Sequence, residues 1–197
     1  MKKLKNILLT GFEPFGKYSY NVSHDAIQGL HNTEISGHKI YCAQLPVLWD
    51  KAFPALKALI VKLKPAIIIC FGMSESNKIR LEKFASNWQD VSLRDNNGSL
   101  ADNEIIQKKG DDVYWSRLPL DKIRKALQKK LIPVEISNDA GGYLCNNIYY
   151  QMMYYRSLSK KNFIAGFVHL PALEADKGLP IEISKKAVEI IVSAVTQ

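Results

Sequence analysis

The stretch Ala66-Ile67-Ile68-Ile69-Cys70-Phe71-Gly72 sets the reading of the fold. Six apolar residues with no polar alternation, stopped by a glycine, suit a strand buried on both faces, as in a parallel sheet covered by helices. Similar runs occur on either side. Asn6 to Thr10 ends at Gly11, Lys39 to Leu45 ends at Pro46, and Phe163 to His169 ends just before Pro171. Between them, Ser23–Leu30, Trp49–Leu63, Leu120–Lys130 and Gly142–Leu158 carry apolar residues at helical intervals. Another helix is predicted from Pro180, a good first-turn residue, to Val195. Strands alternating with helices predict an α/β three-layer fold: an open, mostly parallel twisted sheet with helices on both faces. The polar stretch from about Ser74 to Val113 reads as a hairpin excursion from that sheet, with a tight turn at Asn97-Gly98. Neither repeats nor low-complexity linkers interrupt the pattern, so residues 1–197 are expected to form a single α/β domain.

Composition narrows the function classes. With 47% hydrophobic residues, the chain can bury one sizeable core. A net charge of +8 raises nucleic-acid binding, but the lysines are scattered, with short runs only at Lys2-Lys3, Lys108-Lys109, Lys129-Lys130 and Lys160-Lys161. A solvated basic surface is the preferred reading, and no nucleic-acid partner is expected. The start, Met1 to Lys5, imitates the charged region of a signal peptide, yet the apolar segment after it is too short and lacks a cleavage site. No stretch approaches the ~18 apolar residues of a membrane span. Three cysteines without CxxC spacing argue against a disulfide framework or structural zinc and for a reducing compartment. A cytoplasmic location without membrane association is expected.

The chemistry concentrates in Ile136-Ser137-Asn138-Asp139-Ala140-Gly141-Gly142-Tyr143-Leu144-Cys145-Asn146-Asn147. A strand from Pro133 to Ser137 runs through a small-residue turn into an aromatic-rich helix, placing Cys145 in or near its first turn. Unpaired N–H groups and the positive end of the helix dipole there favour thiolate over thiol. The same donors could hold a developing oxyanion. The plainer alternative makes Cys145 a buried small hydrophobe, which is how Cys42 and Cys70, inside apolar runs, are read. A thiol nucleophile needs a base, most often histidine. His24, His31 and His38 cluster around the first predicted helix and read as surface residues. His169 ends an apolar strand run, where functional groups of open α/β sheets collect. A third group would orient its ring; Glu82, Asp139, Asp95 and Glu174 qualify by type, and spacing does not choose among them.

Five segments in order resemble the pyroglutamyl peptidase I family, also called pyrrolidone-carboxylate peptidases. They are Leu9–Gly16 with Asn21-Val22-Ser23 (TGFxPFG and N-x-S), Leu81–Asn87 (E-x-x-A-x-N), Asp95–Gly98 (DNxG), Ser137–Asn146 (S-x-DAGxYLCN) and Phe167–Pro171 (F-[IV]-H-V-P). The resemblance implies a cysteine peptidase that removes N-terminal 5-oxoproline through a triad of Cys145, His169 and Glu82 and a thioester intermediate. It further implies that Phe12 and Phe15 wall the lactam pocket, with Tyr143 and Leu144 beside the nucleophile. It implies neither metal nor cofactor, and a homo-oligomer, dimer or tetramer. Two departures bear on substrate affinity and rate rather than reaction type. Met73 stands where many bacterial members carry a glutamine that looks to be a lactam contact, and Ser92 replaces the usual arginine before the DNxG turn, with Arg94 nearby. The competing readings are a non-catalytic homologue that binds pyroglutamyl peptides and a different α/β enzyme such as a nucleoside phosphorylase.

Overall fold

The computed structural model describes residues 5–159, 162–173 and 178–197. Glu174, the start Met1–Leu4 and the Lys160-Lys161 pair lie outside the described residues.

Among the described residues, the apolar runs become the centre of a seven-stranded sheet. Its strands are β1 (Lys5–Phe12), β2 (Glu34–Ile35), β3 (His38–Leu45), β4 (Ile67–Ser74), β5 (Ile79–Glu82), β8 (Val134–Ser137) and β9 (Ile164–Pro171), ordered β2-β3-β1-β4-β9-β5-β8. The β3-β1-β4-β9 block is parallel throughout, and burial of nearly every residue in β4 explains its unbroken apolar run. Three strands, β2, β5 and β8, run against the majority. The short β2 pairs antiparallel to β3 at one edge, and β5 inserts antiparallel to β9 while pairing parallel to β8.

Helices cover both faces, each over its own apolar cluster. On one side lie α1 (Val22–Asp25), α3 (Leu120–Gln128) and α5 (Ile181–Thr196), burying Val22, Ile123, Leu127, Val188 and Ile191. On the other lie α2 (Ala52–Leu63) and α4 (Leu144–Leu158), burying Leu56, Ile60, Ile148, Tyr149 and Met152. The first predicted helix, Ser23–Leu30, is cut short. Leu30 N–H donates to Ile27 O, an i,i+3 bond that tightens the chain into a 3-10 turn over Gln28–Leu30, and Gly29 weakens helical propensity there.

The middle excursion differs in detail from its expected form. Its leading part, β5, belongs to the main sheet. Beyond it β6 (Phe84–Ser86) and β7 (Val113–Trp115) form a separate two-stranded antiparallel sheet, joined by a long connection. Asn97-Gly98 is not the tight turn between those strands. It lies in a loop turn where Asp95 Oδ1 accepts from the N–H groups of Asn97 and Ser99, both at 2.9 Å. The long connection is held by buried amides. Asn146 Nδ2 donates to Ser86 O and Trp88 O at 2.9 and 2.8 Å, and its Oδ1 accepts from Ser86 N–H at 3.0 Å. These bonds replace the backbone ladder that the loop lacks.

Candidate active site

Cys145 is the second residue of α4, whose N-cap Tyr143 makes no side-chain capping bond. As in any α-helix, the N–H groups of the first turn lack acceptors within the helix, and Cys145 stands among the residues of that turn. Cys145 is half-buried, whereas Cys70 is fully buried and Cys42 gives its Sγ to Ile27 O at 3.0 Å. Burial pushes both of the latter thiols up to about 12, which suits packing rather than nucleophilic chemistry.

The sheet brings His169 to Cys145. His169 lies near the end of β9, opposite Gly72 of β4 and Arg80 of β5. Gly72 is needed for this approach: a Cβ there would stand 2.7 Å from Cys145 Sγ and 3.0 Å from His169 Cδ2. Any larger residue would wedge the two side chains away from the sheet. Gly72 was legible in the sequence only as the stop of an apolar run.

The antiparallel insertion of β5 brings in the acid. Because Arg80 opposes His169, Glu82 follows two residues along on the same face, beneath the imidazole. Glu82 is 0% exposed and His169 4% exposed. The His169 Nδ1–H donates to Glu82 Oε1 at 2.8 Å. A carboxylate can only accept, so the proton sits on Nδ1 and Nε2 is the ring nitrogen left for the hydrogen bond with Cys145. Burial by itself would strip the proton from His169. The charge on Cys145, the hydrogen bonds to Cys145 and Glu82, and the Glu82 charge outweigh it and raise the imidazole to about 9. Asp139 and Asp95 are otherwise engaged. Asp139 Oδ1 accepts from Gly141 N–H at 2.8 Å, and Asp95 Oδ2 accepts from Trp49 N–H at 3.1 Å.

A groove of about 730 Å³ opens over this centre, lined by Cys145, His169, Phe15, Met73, Arg80 and Tyr143 among others. Beside it, a pocket of about 20 Å³ is walled by Phe12, Phe15, Val47, Met73, Tyr143 and Leu144 against Cys145. That is room for about one water. The pocket walls are tied to distant segments of the chain. Ser23 Oγ accepts from Phe12 N–H at 2.9 Å, and Asn96 Nδ2 donates to Pro14 O at 2.9 Å. Asn21 also borders the small pocket, but its Oδ1 accepts from Ser23 and its Nδ2 donates to Glu13 O, so its hydrogen-bonding capacity is largely engaged. Ser92 does not reach the groove; its N–H and Oγ both bond Asp90 Oδ1, at 2.8 and 2.6 Å. Arg94 does line it, with Nη1 donating to Gly98 O at 2.7 Å.

Comparison with known proteins agrees in fold and sequence. The family model described as pyroglutamyl peptidase matches residues 5–197. A pyrrolidone-carboxylate peptidase of Thermosipho melanesiensis is 40% identical over 166 residues, 84% of this chain and 82% of that protein. One from Bacillus cereus is 34% identical over 201 residues, covering 98% and 94%. Among solved structures, pyroglutamyl peptidase I of Bacillus amyloliquefaciens superposes with a TM-score of 0.93 at 30% identity, covering 98% of this chain and 97% of that one. Pyrrolidone carboxyl peptidase of Thermococcus litoralis superposes with a TM-score of 0.93 at 29% identity, covering 98% and 93%.

Proposed function

This chain belongs to the pyroglutamyl peptidase family, and from that premise we propose that Cys145, His169 and Glu82 are its catalytic triad. The enzyme is a cysteine-type omega-peptidase that removes N-terminal pyroglutamyl residues from peptides. The observation that supports the triad is the chain of contacts from Cys145 through the His169 ring to the fully buried Glu82.

The Cys145 thiolate attacks the pyroglutamyl carbonyl carbon. First-turn N–H groups of α4 face the oxygen that gains charge. His169 Nε2 gives its proton to the leaving amine as the carbon–nitrogen bond breaks, leaving a thioester. Water then attacks the thioester, passing a proton to His169, and the sulfur departs as thiolate with release of pyroglutamate. Glu82 holds the ring tautomer and offsets the imidazolium charge. Phe12, Phe15, Tyr143 and Leu144 are the proposed walls for the lactam, a nearly neutral ring that apolar faces hold well.

The same reading takes residues 1–197 as one peptidase domain acting in the cytoplasm as a homo-oligomer. No helix among the described residues is long and apolar enough to cross a membrane.

The test is hydrolysis of a pyroglutamyl amide with a fluorescent leaving group by wild type, Cys145→Ser and His169→Ala. Turnover by wild type and its loss in both variants is expected. A Cys145→Ser variant as active as wild type would end the nucleophile assignment.

A further inference from the structure

We infer that Arg80 is a positioning residue for this centre, an inference that rests on the triad proposed above. Arg80 lies on β5 directly opposite His169, and its side chain lines the groove while remaining 26% exposed. Its guanidinium reaches two parts of the site at once. Nη2 donates to Ser137 Oγ at 2.8 Å and to Asp139 O at 3.0 Å, tying down the turn that leads from β8 into α4 and so to Cys145. Nε stands 3.9 Å from Glu82 Oε1 and 3.7 Å from Glu135 Oε1.

The two reaches have separable consequences. The planar fork fixes the 137–141 turn relative to the strand that carries Glu82, and a lysine, a single point of charge, cannot reproduce it. The positive charge acts on the His169–Glu82 pair. It favours the carboxylate, whose buried Oε2 has no hydrogen-bond partner among the described residues, and opposes the imidazolium. The charged and titratable groups around His169 are Glu82 and Arg80 from β5, Cys145 from α4 and, one layer out, Glu135 from β8. Tyr149 of α4 packs near Glu82, with its hydroxyl donating to Glu82 O at 3.4 Å. From β4, Gly72 lies against the ring: a Cβ there would stand 3.0 Å from His169 Cδ2. Arg80 is thus the cation of this set.

The experiment follows the His169 imidazole by NMR across pH in histidine-labelled protein, with His169→Gln identifying its resonance. Hydrolysis of the fluorogenic pyroglutamyl amide is measured in parallel. Arg80→Gln is expected to raise the titration midpoint by about half a pH unit and to lower kcat/KM about tenfold. Arg80→Lys is expected to return the midpoint to the wild-type value while the rate stays low. A midpoint unmoved in Arg80→Gln, or a rate fully restored by lysine, overturns the inference. If wild type hydrolyses no pyroglutamyl amide, the proposed function falls while the titration still decides the placement of Arg80.

Discussion

His169 and Glu82, 87 residues apart in sequence, meet at 2.8 Å through Nδ1 and Oε1 across two antiparallel strands. Both side chains are buried, and each gives the other a hydrogen-bond partner. A lone buried carboxylate or imidazolium pays a heavy desolvation penalty that pairing offsets.

Glu82→Gln removes the charge while preserving size. An amide can present its NH2 to the ring, which invites the wrong histidine tautomer. By analogy with triad acids of other hydrolases, kcat/KM is expected to fall about a thousandfold. The fluorogenic assay reads this directly, and activity within about tenfold of wild type would exclude Glu82 as the orienting acid.

The raised imidazole sets an alkaline limit. From an ordinary value of 6.5, His169 is lifted to about 9 in the folded protein, so its pairing stabilises the fold fully below about 6.5. That stabilisation is lost as pH rises through about 9, where the proton needed by the leaving amine is also lost. The kcat/KM profile should therefore fall on an alkaline limb near 9, and the limb should move to lower pH in Glu82→Gln. A profile still rising at pH 10 would contradict the proposed role of His169.

Gly72→Ala tests the packing that lets the nucleophile approach its base. The added methyl meets Cys145 Sγ at 2.7 Å and the Phe167 ring at 2.9 Å. Gly72 lies in β4 and its φ is not positive, so the strand can accept alanine and the strain should fall on the site. A loss of about a hundredfold in kcat is expected, with Tm lowered by only a few degrees. Calorimetry beside steady-state kinetics separates the two effects.

Met73→Gln places a second amide beside a largely apolar pocket whose one amide, Asn21, is already engaged with Ser23 and Glu13. The two residues are similar in size, so stability should change little. If the lactam lacks a side-chain hydrogen-bond partner here, KM for the pyroglutamyl amide should drop about tenfold. An unchanged KM would mean that backbone groups already satisfy the ring.

Much of the architecture was legible because burial leaves a strong mark. A strand covered on both faces must be apolar throughout, so Ala66–Phe71 and Phe163–Val168 announced central strands. Cys145 was legible through its strand-turn-helix setting, and His169 through its place at a strand end. Glu82 was not. Within Ile79–Phe84 it alternates like an exposed residue, yet it is completely buried, because β5 inserts against β9 and α4 covers that face. Asp95 was equally plausible by type and turned out to hold a loop turn.

Periodicity, turn residues and helix termini are local properties, so the sequence alone pointed to the α/β class, the central strands and the helix start that carries Cys145. The tertiary structure decided which acid faces His169, that Gly72 must be small, that Arg80 bridges two parts of the site, and that the pocket beside Cys145 is nearly closed. Those facts depend on strand direction and register. Reversing one strand exchanges its neighbours without altering a residue, and only the assembled sheet records which way β5 runs.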